Sequence, residues 1–471
     1  MTIAEQLAAE AKGLSFGDLP PEVVHQVKRL VLDTVGVGFG GYWSEPSQII
    51  QSLIKEVNGP AESTVFISGL KTSCLYATLA NGVMVRYHDY MDRGCLTKQA
   101  RSDDTGHHSE SIPPILAVGE RQHTSGKEVT TTIASAYELL NKIVDSVGGQ
   151  MGVIDRRGWA PETRTPAIMA LIAGRLLGLS EEQMANGLAI ATCFTLQLGI
   201  LHAGEEELSM ARNLRFPYGS HSGILGALLA QKGFKGPLNV FEGHHGFAEV
   251  VAGGEMDLEK LRQPRKDWLI LNTWVKRFAA NGRIQGHIEA TLKLVKEHDI
   301  RPDDVAEVRI KSTSRVYRQM ANPETRRYPK NKYTADHSSY YTTAVAIIDR
   351  AVGPDQYSDE KLQDPRVREL ADKVFVERDP KLDEFSSPGI VEITTKKGQK
   401  YHCELLQPKG HPMNPMTDAD IEEKFRSMAG KFMDEKQMRQ VIDTVYNLEK
   451  LDDIGELVKL LVVPEKILQK S

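Results

Sequence analysis

Residues 20–41 read PPEVVHQVKRLVLDTVGVGFGG. Proline opens the stretch, as it often does at the first helical position, and glycines close it. Val24, Val27, Val31 and Val35 recur at helical spacing between those ends. The same grammar repeats outward. AIMALIAGRLLGL (167–179) reads as a buried helix stopped near Gly178, and Ser180 with Gln183 makes a capping box for the helix EEQMANGLAIATC. GILGALLAQKG is a further apolar helix ended by Gly233. Alternation of the strand type is scarce before residue 265, so residues 1–265 are expected to form an all-helical domain.

The pattern changes after residue 265. VAEVRIKST (305–313) alternates as a half-buried strand, VFVERDP is a short strand, and GIVEITTKKGQKYHCELL folds into a hairpin around Lys397-Gly398. Helices such as IEATLKLVKEH and YYTTAVAIIDRAV lie between them. The expectation is an α+β lid domain over 266–409, with 410–471 returning to the helical domain. The fold class is mainly α: a large all-helical domain plus a smaller α+β lid.

Composition excludes several classes. Net charge is −5, which gives no basic field for nucleic acid. No apolar run approaches the roughly 18 residues that span a bilayer. Cys74, Cys95, Cys193 and Cys403 lack CxxC spacing, arguing against a zinc knuckle or a disulfide framework. The first residues carry no signal-peptide pattern, so a cytoplasmic protein is expected.

The chemistry concentrates in Arg86–His108, RYHDYMDRGCLTKQARSDDTGHH, with four aspartates, three histidines and three arginines in 23 residues. If this segment is helical, Asp89 and Asp92 share one face, and paired carboxylates raise one pKa and supply a base. His88, Asp89, His107 and His108, with Asp103-Asp104 nearby, offer ligands for a metal-dependent hydrolase, although HExxH and a calcium loop are missing. Arg212, Arg215, Lys276, Arg277 and Arg283 are candidates to clamp an anion, and the cations of VKRFAANGRIQGH stand beside small residues that leave room for a ligand. TADHSSYY places Asp336, His337, Ser338 and Tyr340 before a helix that Ser or Asp can cap. Gly243-His244-His245-Gly246 reads as a turn, and no Walker, dinucleotide or GxSxG motif occurs.

Four stretches, in order, resemble the MmgE/PrpD family along nearly the whole chain. RYHDYMD resembles the family's RYxDFND. GHHSESI resembles GHPSDNI and aligns His107 with the family histidine. NPETRRYPKNKYTADHSSYYTTAVA resembles the segment ending in TADHS, and GHPMNPMTDADIEEKF resembles the family's Gly-His-Pro and NPM stretch. The resemblance implies a cofactor-independent, metal-free lyase acting on a small tri- or dicarboxylic acid, with its site between the domains and usually a homodimer. Positions that match the family's site are Asp89, His107, Arg212, Lys276, Arg283 and Gln285.

Departures cluster there. Arg93 stands where the family often has threonine, His108 where it has proline, and Arg212 where it has lysine. Ala160 and Asn281 stand where it has histidines. The leading expectation is a dehydratase of a 2-methylcitrate- or citrate-like acid. Its acid/base residues are Asp89, His107, His108 and Lys276, and its carboxylate-binding residues are Arg86, Asp92, Arg93, Arg212, Arg277, Arg283 and Gln285. Alternatives on the same fold are a cis-aconitate-type decarboxylase, an epimerase or isomerase of a related dicarboxylate, and a carboxylate-binding protein without turnover.

Overall fold

The helix foretold by residues 20–41 forms over Pro21–Gly41. Its first half buries one stripe, with Val23 and Val27 fully buried and Val24 partly buried against the core; from Leu30 to Phe39 it is buried all round. Such a helix is central rather than superficial. The structure, a computed structural model, describes residues 1–57, 59–99, 104–194, 196–202, 206–264 and 267–468.

Helices Cys74–Arg86 and Gly126–Ser146 pack against this axis, and helices Thr165–Leu176, Glu181–Phe194 and Arg215–Gln231 pack on one another and onto those two. The capping box forms as the sequence requires: Ser180 N donates to Gln183 Oε1 at 3.0 Å and Gln183 N to Ser180 Oγ at 3.2 Å. Strands in this part are short pairs, Ser63–Thr64 with Lys71–Thr72 and Gly94–Cys95 with Asp104–Gly106.

A four-stranded sheet follows. Val374–Arg378 lies parallel to Val305–Ser312, which pairs antiparallel with Gly389–Thr395, which pairs antiparallel with Lys400–Leu405. The last two form the expected hairpin, with Gly398 at φ 81° in its turn, where a side chain would be strained. Alternate residues of Gly389–Thr395 are buried, and helix Gln285–Glu297 covers that face. The change of pattern expected at residues 265 and 266 lies outside the described residues.

Helix Asp418–Ala429 returns to the central helix. Phe425 is fully buried against it, so close to Gly36 that a Cβ there would lie 3.1 Å from the Phe425 Cα. The site is placed by such crossings. Arg93 and Trp274 exchange backbone hydrogen bonds of 2.7 and 2.8 Å, joining the loop after Arg86 to residues 274–278. Asn281 N donates to Asp336 O at 2.9 Å, and the buried Lys332 ammonium donates to the Tyr87 carbonyl.

Candidate active site

Helix Cys74–Arg86 stops before the acidic pair, so Asp89 and Asp92 do not share a helical face. Asp89 instead adopts a left-handed backbone, φ 47°. Lys276 Nζ holds it there, donating to the Asp89 carbonyl at 2.5 Å and to Oδ1 at 3.0 Å. Asp92 turns away into the core. It accepts from Ser109 Oγ at 2.6 Å and the Tyr137 hydroxyl at 2.7 Å, and burial, partly offset by these donors, pushes it up to about 6.

Two imidazoles flank the Asp89 carboxylate. His107 Nε2 is 3.7 Å from Oδ1, and His337 Nε2 is 3.6 Å from Oδ2. Their tautomers follow from their far sides. His107 Nδ1 faces the Asp92 carbonyl at 2.5 Å, and a carbonyl only accepts, so Nδ1 carries the hydrogen. His337 Nδ1 likewise donates to the Asp336 carboxylate, whose other oxygen accepts from Lys332 Nζ at 2.6 Å. Both Nε2 atoms are therefore lone-pair nitrogens when the rings are neutral. Asn281 Nδ2 donates to His337 Nε2 at 3.0 Å, and the Arg212 guanidinium lies against the same ring, 3.1–3.2 Å from its nitrogens.

The electrostatics fix the protonation states. Burial alone would raise Asp89, but Lys276, His337, His107 and Arg86 together hold it well below the usual carboxylate range. Burial, then Lys276 and Arg86, depress His107 well below the ordinary histidine value. Burial and Arg212 bring His337 down to about 4, and burial brings Lys276 down to about 8 against the opposing pull of Asp89. At neutral pH the centre is an ionised aspartate, a protonated lysine beneath it and two neutral imidazoles. The carboxylate is thus not the raised-pKa base expected from pairing with Asp92. It is an anion placed to stabilise an imidazolium as that imidazolium forms.

These groups open on a cavity of about 260 Å³ whose walls carry, among the described residues, eight arginines and two aspartates, Asp89 and Asp104. Arg86 is held by Glu110 at 2.9 Å and Arg215 by Glu162 at 2.9 Å. Arg93 and Arg283 both reach Asp104 Oδ1, at 3.0 and 2.5 Å. Gly282 makes room for this arrangement, because a Cβ there would lie 2.9 Å from Arg93 Cδ. Burial and the neighbouring Arg86 push Arg215 down to about 9 against the opposing pull of Glu162.

The structure thus gathers Arg86, Asp89, Arg93, His107, Arg212 and Arg283 from the residues expected at the site, with Lys276 directly beneath. It does not bring four others there. His108 is buried against Asn141, 3.0 Å from its Oδ1, and edge-on to Tyr137, because the short helix His108–Ser111 turns it inward. Arg277 points outward toward Glu289. Gln285 spends its amide on the backbone of Phe278 and Ala280 and shapes the loop instead of lining the cavity. Asp92 is the fourth. The metal cluster also disperses, since His88 hydrogen-bonds the Gly40 carbonyl at 2.8 Å, and Asp103 lies outside the described residues. Among the described residues, the group with metal-ligand spacing is the exposed His244, His245 and Glu249.

Arg315, Arg318 and Arg326 line the cavity without having been expected there, and His337 lines it too, from a loop whose sequence allowed either a site role or helix capping. The sequence signal for His337 was its place in TADHS, where capping explained the neighbouring serine: Ser338 Oγ does accept from Tyr341 N at 2.9 Å.

Residues 5–259 match the MmgE/PrpD N-terminal domain, and residues 278–448 match the MmgE/PrpD C-terminal domain. The chain belongs to the MmgE/PrpD family. Similar MmgE/PrpD proteins include cis-aconitate decarboxylase of Homo sapiens, 26% identical over 98% of this chain and 95% of the relative. A cis-aconitate decarboxylase of Aspergillus terreus is 26% identical over 98% of this chain and 96% of its own length. The mitochondrial 2-methylcitrate dehydratase of Yarrowia lipolytica is 24% identical over 92% of this chain and 85% of its own length.

Proposed function

We propose that this MmgE/PrpD protein is a cofactor-independent hydro-lyase that removes water from a 2-methylcitrate- or citrate-like acid. The observation that carries this reading is the Asp89 carboxylate set between two imidazole Nε2 atoms in an arginine-walled cavity. Dehydration beside a carboxylate needs a base for the carbon-bound proton, an acid for the departing hydroxyl, and cations for the charge that develops between. His107 Nε2 takes the proton, and Asp89 stabilises the imidazolium. As substrate carboxylates neutralise the surrounding arginines and raise its pKa, His337 takes up a proton from solvent at Nε2 and delivers it to the leaving oxygen; His107 returns its proton to water after product leaves. Arg86, Arg93, Arg212 and Arg283 hold the carboxylates.

Decarboxylation is the second reading, favoured by the names of the human and Aspergillus relatives. The cavity argues against it. A carboxylate that leaves as carbon dioxide loses its charge, so guanidinium contacts stabilise the ground state more than the transition state. Ala160 and Asn281 also supply no imidazole.

Proton NMR of metal-stripped protein with 2-methylcitrate, citrate, cis-aconitate and iminodisuccinate tests both. Vinyl signals growing from 2-methylcitrate or citrate are the expected result. Carbon dioxide release from cis-aconitate would replace this reading with the second, and silence across the panel would remove both. The protein is further proposed to act as a homodimer, on the strength of the family resemblance, and to work in the cytoplasm, as expected from the sequence; among the described residues no helix is long and apolar enough to cross a membrane.

A further inference from the structure

A second buried ion pair lies behind the catalytic one. Lys424, from helix Asp418–Ala429, is 2.7 Å from Asp33 Oδ1 of the central helix. Its ammonium also donates to two backbone carbonyls, Tyr90 O at 2.8 Å and Lys276 O at 2.9 Å, and sits 3.9 Å from the centre of the Tyr90 ring. Asp33 is 1% exposed, Lys424 5% and Lys276 0%. Tyr90 directly follows Asp89, and its hydroxyl donates to the Arg277 carbonyl at 2.7 Å. The two backbone segments that carry Asp89 and Lys276 are therefore drawn onto one ammonium.

Such a pair is poor evidence for stability, since burying two charges costs about what their attraction returns. A hydrophobic pair would fill the same space. What an ammonium adds is geometry, because its three donors are spent on one carboxylate and two specified carbonyls. Asp89 has reason to need this, being a non-glycine residue in the left-handed region whose conformation persists only where surroundings hold it.

We propose that Lys424, seated by Asp33, is a positioning residue that sets the Asp89–Lys276 contact and hence the placement of the Asp89 carboxylate between His107 and His337. The C-terminal helix thereby becomes part of the catalytic apparatus without touching substrate. This rests on the assignment of Asp89 to catalysis under the proposed function.

The test is the paired variant Asp33→Asn/Lys424→Met, which removes both charges together so that neither is left buried alone. Lys424→Met by itself is the control for misfolding and is expected to melt lower. For the pair, a melting temperature near wild type is expected. With the acid of the NMR panel that turns over, kcat should fall about 10- to 100-fold while KM stays within about two-fold, because a displacement of about 1 Å suffices. In protein labelled at aspartate 13Cγ, the Asp89 resonance, assigned by its loss in Asp89→Asn, should move in the pair variant. That readout needs no substrate. An unmoved Asp89 resonance or a wild-type kcat in the pair variant overturns the proposal. If Asp89→Asn is inactive while the pair variant is normal, this inference alone fails; if Asp89→Asn turns over normally, the assignment beneath it fails.

Discussion

Asp89 occupies a conformation that costs roughly 1–3 kcal/mol for a residue with a side chain, and Lys276 pins it there through both the carbonyl and the carboxylate. Two predictions belong to this scale. Lys276, brought down to about 8, loses its proton in the mildly alkaline range and leaves Asp89 without its cation. Activity should therefore fall with a midpoint near pH 8, and Lys276→Met, measured across the same pH range, should lose that limb along with most of its turnover. His337 titrates at about 4 folded, against roughly 6.5 unfolded. Between those values the unfolded chain binds more protons, so this residue weakens the fold as pH falls. Relative to wild type, His337→Asn should gain about 3 kcal/mol of stability between pH 7 and pH 4 in denaturant titrations. A pH-independent difference would contradict the assignment. None of these states was legible in the sequence. The chemistry of Asp89 is decided by Lys276 and His337, far along the chain, and the pairing that the sequence did suggest, with Asp92, is undone by Ser109 and Tyr137.

At the scale of elements the sequence speaks more directly. A 3.6-residue period, a capping box and a glycine turn are local instructions, and Pro21–Gly41, Glu181–Phe194 and the Gly389–Leu405 hairpin follow them. The acidic loop fails because its spacing carries no stop signal that separates a helix ending at Arg86 from one continuing to Asp92. His108 and Gln285 mislead for a related reason: a motif gives the order of residues, not which of two neighbours turns inward. Helix Asp418–Ala429 is read correctly as a helix, but its reach to the site depends on Lys424 and Phe425 meeting the central helix. Phe425 is fully buried at that crossing. Phe425→Ala should cost about 3–5 kcal/mol, measured by denaturant unfolding, and should lower kcat by loosening Lys424. Loss of stability with full kcat would show that the helix braces the fold alone.

The whole molecule carries a net charge of −5, yet eight arginines among the described residues converge on one cavity. Composition therefore hides this cavity, whose cations outnumber the acids paired with them there, Glu110, Glu162 and Asp104. An anionic substrate should feel this local field, so raising ionic strength should lower kcat/KM, chiefly through KM. A salt-independent kcat/KM would mean that the arginines are neutralised within the fold. The family resemblance implied the mainly helical architecture and four of the residues that line the cavity, Asp89, His107, Arg212 and Arg283, while Arg93, Arg212, Ala160 and Asn281 stand where it led to other residues being expected. The central claim is that an ionised Asp89 between His107 and His337 drives elimination. The most direct measurement is kcat of Asp89→Asn on the acid that wild type dehydrates. A fall of about 10³-fold with the fold intact is predicted, and turnover within a few-fold of wild type would contradict the account.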